Sequence, residues 1–563
     1  MGMNNRGNNK PLNRRHFLKL STSSLGVLAA FPMEAFLNTI VTGLLKNANA
    51  ADLPPALNYV HFNAPGGPAR WLFDLFLQPN GPSDPFIALP TLGNYVNADA
   101  SVLYKTIQAP GSPYWINWQW QFPVPKSDGS TRPMTDLLEH MLSIRGVRLN
   151  ADGHPNNVRL QIQPVLGGPS LTGIAADASG RTFSSISHGG AEAISAFKSP
   201  NGAANITLPT TSHPISYLFN PFQAPANSYR TNATIDGLVG AALENLSENA
   251  KANNLSTQFL GKDRKNAETI FRTNISNFIA QYDGLVIKYR DLINRAIRTT
   301  GLEGINQESI SPILDDPRFK IAYGNVTLDK MRNPNLDNLF TTGTMEGFAS
   351  GLAVTEFALM NRLSTSILCG INPISNLNVN GLKVAMRHDA HDCGSVPIAL
   401  IHGMWARSVA TCLIELIDQL KSLPAEAAQP PGSGPTIFDN TVIHFCGEMG
   451  RFPGVGDSGH GWESQNVSIW SGQVENFTVL GNITTKNISY FGRESPGTWG
   501  CAAPVPELGN SLVGINNVTT TIATMLGVTP PSRIGPSLVA VQTNGAGKKT
   551  IVPVISGPKN IPN

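Results

Sequence analysis

Short apolar runs bounded by turn residues recur along the chain and alternate with longer amphipathic segments. A short apolar run between Gly, Pro, Asn or polar residues is typical of a buried strand. We therefore predict strands over Leu57–Ala64, Met141–Val147, Ser366–Cys369, Leu382–Met386 and Thr441–Cys446.

Apolar residues at every third or fourth position predict helices between several of these strands. The predicted helices cover residues 257–300, Met345–Leu363 and residues 402–422. Strand–helix–strand order with apolar strands is typical of a parallel sheet that is covered on both sides. The pattern therefore predicts an α/β fold, with a mixed, mostly parallel sheet and helices on both faces.

Two long segments lack a clear periodic pattern. Residues 80–135 are rich in Pro, Gly, Asn and Trp, and residues 164–235 are rich in Gly, Pro, Ser and Asn. Such composition favours turns and loops. We predict insertions near residues 80–135 and 165–255, with residues 164–235 forming loops over the core. The chain from residue 51 to 563 is then one large domain.

The first fifty residues have the features of an export signal. Asn13–Lys19 resembles the twin-arginine motif, with Asn where Ser or Thr is usual, and an apolar stretch and Ala48-Asn49-Ala50 follow. Glu34 interrupts the apolar stretch before it reaches the length of about 20 residues that a membrane span needs. We predict cleavage near Ala50, the twin-arginine translocase as a partner during export, and a periplasmic or secreted protein without a stable transmembrane anchor.

Charge and cysteine content argue against two classes of protein, those that bind nucleic acid and those that carry haem or iron–sulfur cofactors. Charged residues make up 14% of the chain, and residues 51–563 hold 35 Lys and Arg against 37 Asp and Glu. A mature body that is not basic disfavours nucleic acid as a partner. The five cysteines are scattered, with no CxxC spacing, which argues against haem and iron–sulfur cofactors and leaves one or two disulfides open.

Two of the predicted strands are followed by groups that suit a divalent metal. In open α/β sheets, ligands collect at the carboxyl ends of the strands. Arg387–Asp392 follows one strand, Gly447–Arg451 follows another, and a glycine-rich loop then leads to Asp457–Trp462. Carboxylates and imidazoles that converge there can hold Zn²⁺ or Mn²⁺. The alternative is a hydrogen-bonded loop without a metal.

The same segments resemble the motifs of a known family. The matching segments are Gly66–Asp74, His388–His391, Ile414–Leu420, Phe438–Ile443, Gly447–Pro453, Asp457–Trp462 and Val518–Val528. In this order they are similar to "GGPSQxDxFD", "WDTH", "DL", "GLLDDTLVV", "EFGRTP", "GTDHW" and the closing helix "ATLLHLLGL" of an exported family, domain of unknown function 1501. That family is placed in the alkaline phosphatase and sulfatase superfamily. The resemblance therefore implies an alkaline-phosphatase-like fold.

The resemblance also implies roles for particular side chains. Asp389, His391, Glu448 and His460 would be ligands, or neighbours of ligands, of a divalent metal such as Zn, Mn or Ca. Arg451 would hold an anionic ester oxygen through its fork of donors. The alternative for Arg451 is an ion pair with Glu448 or Asp457.

Several positions depart from the family pattern. Asp457 would substitute for the acidic residue that the family has directly before its histidine, where this chain has Gly459. Ala69 stands at the serine of the family's first motif. The nucleophile is therefore open between the hydroxyls around Ser170 and Thr172, which a plain turn also explains, and a water molecule activated by the metal.

Asp74 and His154 are weaker candidates, which we expect to be structural rather than catalytic.

The leading hypothesis is an exported, metal-dependent hydrolase-like protein that acts on phosphate or sulfate esters, including esters on a glycan. The alternative is a non-catalytic secreted binding or structural protein that keeps the fold. A cofactor-dependent redox protein is a third hypothesis, which rests only on the export route.

Overall fold

The computed structural model describes residues 57–68, 70, 73–77, 106–149, 153–179, 181, 183–210, 212–219, 277–296, 315, 346–371, 377–379, 382–384, 395–425, 432, 434–451, 460–461, 463–484, 500–532, 534–544 and 548–561. The strands, in chain order, are β1 (Asn58–Ala64), β2 (Thr106–Gln108), β3 (Trp115–Asn117), β4 (Pro123–Pro125), β5 (Thr131–Pro133), β6 (Met141–Val147), β7 (Ser185–His188), β8 (Asn205–Leu208), β9 (Ser366–Gly370), β10 (Leu377–Val379), β11 (Leu382–Val384), β12 (Thr441–Gly447), β13 (Gly450–Arg451), β14 (His460–Gly461), β15 (Gln465–Ser471), β16 (Thr478–Leu480), β17 (Asn482–Thr484), β18 (Cys501–Ala503), β19 (Val539–Thr543), β20 (Lys549–Pro553) and β21 (Asn560–Ile561). The helices are α1 (His154–Leu160), α2 (Leu171–Asp177), α3 (Ala191–Ser195), α4 (Pro214–Phe219), α5 (277–296), α6 (Glu346–Met360), α7 (Ser395–Ser422) and α8 (Ile515–Leu526).

Eight strands form the central sheet, in the order β16-β6-β15-β12-β1-β9-β7-β8. The strands from β12 to β8 run parallel to one another, and β16 is parallel to β6. Strand β15 is antiparallel to both of its neighbours. The chain therefore has an α/β fold with a mixed, mostly parallel sheet, which confirms the coarse prediction from the sequence.

Every residue of β1 and of β12 is buried, because the sheet is covered on both faces. On one face, Val60, Phe62 and Phe445 pack into a core with residues of α5, α6 and α7. On the other face, Tyr59 and Cys446 belong to a second core with residues of α1, α2, α3 and α8. Successive side chains of a strand point to opposite faces of the sheet, so each of these strands contributes apolar residues to both cores.

The long apolar runs of the sequence correspond to strands of the central sheet. Predicted strands Leu57–Ala64, Met141–Val147, Ser366–Cys369 and Thr441–Cys446 are confirmed as β1, β6, β9 and β12. The prediction of loops over residues 164–235 is wrong in part, since Ser185–His188 and Asn205–Leu208 are parallel strands at one edge of the sheet. These strands are short and contain few large apolar residues, so their pattern resembles a loop.

The strand predicted over Leu382–Met386 does not lie in the central sheet. Leu382–Val384 pairs antiparallel with Leu377–Val379 in a separate two-stranded sheet. Its register therefore gives no reason to place the residues that follow it beside the end of β12.

Among the described helices, none is both long enough and apolar enough to cross a membrane.

A buried ion pair fixes the segment that follows β1. Arg70 and Asp74 are 1% and 0% exposed, and Arg70 Nε donates to Asp74 Oδ1 at 2.6 Å. A second guanidinium nitrogen of Arg70 and the hydroxyl of Ser468 contact Asp74 Oδ2. The guanidinium also lies 4.7 Å above the ring of Phe445. These contacts support the expectation that Asp74 is structural.

Replacing Asp74 tests this assignment. The substitution Asp74→Ala leaves the Arg70 charge buried without its carboxylate, which should lower the free energy of unfolding by about 3–5 kcal/mol. Urea denaturation followed by circular dichroism measures the change. The control is Asp128→Ala, because Asp128 forms an exposed pair with Lys126 and exposed pairs contribute little. Equal midpoints for the two variants would contradict the assignment.

Candidate functional site

The parallel pairing of β1 and β12 brings two chain segments together at the carboxyl ends of these strands. Ala64 lies opposite Gly447, so Gly66 and Glu448 follow side by side. A Cβ atom at Gly447 would lie 2.9 Å from Pro68 Cδ, so a glycine is required for this close approach. The Glu448 side chain is 1% exposed, and its Oε1 accepts a hydrogen bond of 2.6 Å from the Gly66 N–H.

His154 and His460 extend this site. His154 begins α1, and its Nδ1 lies 2.6 Å from Glu448 Oε1. The rings of His154 and His460 meet edge to face, with their centroids 4.7 Å apart. His460 is held by the short hairpin of β13 and β14, in which it pairs with Arg451. Glu448, His154 and His460 are therefore linked in series; we call them the edge site.

Buried polar atoms without a hydrogen-bond partner among the described residues occur on the same segments. They include Glu448 Oε2, both side-chain amide atoms of Asn63 and of Asn157, and Gln161 Oε1. Gln161 Nε2 donates to the Glu448 carbonyl at 3.4 Å, so α1 lies against this strand end. An unpaired buried polar atom costs about 1–3 kcal/mol. The hydrogen-bond partners of these atoms are therefore not among the residues that the structure describes.

The structure brings together two of the site residues expected from the sequence and does not describe three others. Glu448 and His460 come together through His154, for which the sequence favours a structural role. The backbone of Arg451 lies in β13 opposite His460. Asp389, His391 and Asp457 lie outside the described residues. Their assignment as ligands or catalytic residues stays a prediction.

The hydroxyls considered as nucleophiles are engaged in local structure. Ser170 Oγ caps α2 by accepting from the Gly173 N–H at 3.1 Å, and it also accepts from the Lys198 N–H at 2.9 Å. The Thr172 side chain is fully buried, with its hydroxyl 3.1 Å from that of Ser170. The segment is therefore the start of α2 rather than a plain turn, and both hydroxyls have partners within it.

A second cluster lies inside the sheet, on the same two strands. His61 of β1 and His444 of β12 are neighbours in register, and Cys446 follows two residues later. All three are fully buried, and one candidate ligand atom from each lies within 4.8 Å of the others. In the part of the chain that the structure describes, these three residues are the group of His, Cys, Asp or Glu side chains whose ligand atoms lie close enough together to share one ion. We call them the interior cluster.

Burial keeps the interior cluster uncharged. Loss of hydration lowers the pKa of His61 to about 3 and places the pKa of His444 well below its usual range. The same desolvation raises the pKa of the Cys446 thiol. Near neutral pH the cluster without an ion therefore consists of two neutral imidazoles and one thiol.

Sequence reasoning missed the interior cluster, although a signal was present. Val60-His61-Phe62 and Ile443-His444-Phe445 repeat the same aliphatic–His–Phe pattern in two predicted strands. Such a repeat in neighbouring parallel strands puts two imidazoles on one face at the same height. The sequence alone did not show that the two strands are adjacent.

No family model, no curated protein and no solved structure matches this chain.

A substitution at Gly447 tests the packing that positions Glu448. The added methyl group of Gly447→Ala would meet Pro68 and the Ala64 carbonyl, so the strand end must shift. We expect the free energy of unfolding to fall by about 1–3 kcal/mol, as for other overpacked sites. The control is Gly557→Ala, where an added Cβ meets nothing within 4 Å. A stability of Gly447→Ala equal to that of the control would contradict the proposed packing.

Proposed function

We propose that this protein is an exported, divalent-metal-dependent hydrolase-like protein that acts on phosphate or sulfate esters at the edge site. The observation that carries the proposal is the Glu448 carboxylate. It is buried at the carboxyl end of a parallel strand, with one oxygen bound to Gly66 and His154 and with the other lacking a partner among the described residues.

A carboxylate in this situation suits a cation. Moving a charged group out of water is costly unless hydrogen bonds or an opposite charge compensate for it. Glu448 Oε1 has such compensation, whereas Oε2 does not among the residues that the structure describes. An ion beside Oε2 would supply the missing interaction. Its position also agrees with the general location of ligands in open α/β sheets.

His154 holds the Glu448 carboxylate in position. A carboxylate accepts hydrogen bonds, so the proton between Glu448 Oε1 and His154 lies on Nδ1 when the ring is neutral. His154 Nε2 then lies on the side of the ring away from Glu448, so an ion beside Glu448 Oε2 would not bind His154 as well. His154 is therefore added to the site as a positioning residue, whereas Glu448 and His460 would hold the ion.

The donor set fits zinc and manganese better than calcium, the third metal that the resemblance allows. Carboxylate oxygen and imidazole nitrogen suit Zn²⁺ and Mn²⁺. A bound divalent ion would supply charge stabilisation at an ester oxygen. The Gly66 N–H holds the Glu448 carboxylate in place, and His154 holds a proton at Nδ1. Asp389, His391, Arg451 and Asp457 keep the roles that the resemblance implies.

Two further arguments support the class of protein. The motifs that resemble the exported family occur in the family's order, and a mixed, mostly parallel sheet with helices on both faces is compatible with the alkaline-phosphatase-like fold. The twin-arginine-like sequence around Arg14 and Arg15 supports export. We propose that residues 1–50 are removed during this export.

The experiment uses the full chain, expressed with its own amino terminus and recovered from the periplasm. Amino-terminal sequencing of the recovered protein should show that it starts near Ala51. Hydrolysis of p-nitrophenyl phosphate and p-nitrophenyl sulfate is measured with Zn²⁺, Mn²⁺ or Ca²⁺, together with the metal content. We expect Glu448→Gln to lower hydrolysis by about 10- to 100-fold, the loss that changes around a metal ion commonly cause. Glu415→Gln is the matched control, because Glu415 is also buried but lies near Lys288.

The outcomes separate the proposal from its alternative. Metal-dependent hydrolysis that is lost in Glu448→Gln and kept in Glu415→Gln supports the hydrolase. Metal that depends on Glu448, without hydrolysis of either ester, contradicts the hydrolase and favours the non-catalytic binding protein. A folded wild-type protein whose metal content does not depend on Glu448 contradicts the edge site.

A further inference from the structure

We propose that the interior cluster of His61, His444 and Cys446 is a second metal site, which takes one zinc or copper ion inside the sheet. This site does not depend on the edge site or on ester hydrolysis. It uses two imidazole nitrogens and one thiolate sulfur, whereas the edge site combines a carboxylate with imidazoles. The two sites share no side chain.

The backbone geometry brings the three side chains together. His61 and His444 are partners in the parallel pairing of β1 and β12, so their side chains lie next to each other on one face. Cys446 is two residues beyond His444 and therefore projects from the same face. The Nδ1 atoms of the two histidines are 3.1 Å apart, and their ring centroids are 4.5 Å apart. The convergence thus follows from register rather than from a flexible loop.

Hydrogen bonding does not satisfy the two imidazoles. Tyr59 Oη and His61 Nδ1 both lie within hydrogen-bonding distance of His444 Nδ1, at 2.9 and 3.1 Å. The Nε2 atoms of both histidines are buried and have no partner among the described residues. A neutral imidazole carries one N–H and one lone pair, so every tautomer leaves an unpaired donor or acceptor on each ring. An ion that uses a lone pair of each ring relieves part of this cost.

The donor set selects the class of metal. Imidazole nitrogen and thiolate sulfur suit zinc and copper, whereas calcium and magnesium prefer oxygen ligands. Two histidines and one cysteine are also the ligand set of trigonal copper sites. Binding converts the Cys446 thiol to a thiolate: the S–H bond breaks, the proton passes to solvent, and the sulfur electron pair binds the ion. No oxidant or reductant is needed for this exchange.

Burial determines when the ion enters. All three ligand side chains are fully buried between the sheet and the helices on this face. A site of this kind forms as the chain folds, so metal binding and folding are coupled. Metal must therefore be supplied during expression or refolding. Adding an ion to the folded, metal-free protein would test access rather than affinity.

The experiment compares two buried cysteines. The full chain is produced in medium supplemented with zinc or with copper, and the metal content of the purified protein is measured by mass spectrometry. We expect about one ion per chain at this site in the wild type and at least a tenfold loss of that ion in Cys446→Ala. Cys412→Ala is the matched control, because Cys412 is also fully buried but lies in α7, outside the cluster. The control should keep the ion, and the two media show whether the ion is zinc or copper.

A measurement on the wild type keeps the test decisive if Cys446→Ala does not fold. X-ray absorption at the zinc or copper edge reports the ligand atoms directly, and refolding with Co²⁺ gives a thiolate charge-transfer band when sulfur is bound. Sulfur together with imidazole nitrogen around the ion supports the proposal. Absence of zinc and copper, or coordination by nitrogen and oxygen alone, overturns it.

Glu448→Gln distinguishes the two metal sites. We expect this variant to keep the sulfur-bound ion, because Glu448 contributes no ligand to the interior cluster. If Glu448→Gln alone removes all zinc or copper, the ion belongs to the edge site, and the interior site is overturned while the proposed function stands. If the sulfur-bound ion is present and hydrolysis is absent, the interior site stands and the hydrolase fails.

Discussion

The parallel pairing of β1 with β12 is the contact on which the rest of the structure depends. The two strands lie in the middle of the central sheet, and all their residues are buried. Their register places His61 beside His444 in the interior and Gly66 beside Glu448 at the strand ends. A shift of one residue would turn every side chain to the opposite face. The apolar cores on the two faces therefore also fix the positions of the polar groups.

Polar side chains in this part of the molecule are arranged by depth. The edge site has a carboxylate and two imidazoles, one of which is about one-third exposed. The interior cluster has neutral imidazoles and a thiol, because full burial disfavours charge. The Glu448 carboxylate is itself buried, but its partner His154 reaches the surface, whereas no side chain of the interior cluster does. This difference in depth is what allows the two proposed sites to differ in chemistry although they share one pair of strands.

The sequence predicts the parts of the fold that have strong local patterns. The bounds of β6 agree residue for residue with the apolar run Met141–Val147. The local pattern does not predict strands β7 and β8, because each has only four residues, of which one or two are large and apolar, and such short segments do not differ from a loop. The run at Leu382 was placed in the central sheet because an apolar pattern does not reveal which strand is its partner. At the site, motifs identify Glu448 and His460, whereas the roles of His154, His61 and His444 depend on distant segments coming together.

Anomalous diffraction from crystals of the metal-supplemented protein tests the central claim most directly. Data collected on both sides of the zinc, copper and manganese edges locate each metal and identify it. The account predicts one peak of zinc or copper among His61, His444 and Cys446, and a divalent ion beside Glu448. A well-ordered structure from metal-supplemented protein with no anomalous peak at either place, and with water at the Glu448 carboxylate, would contradict it.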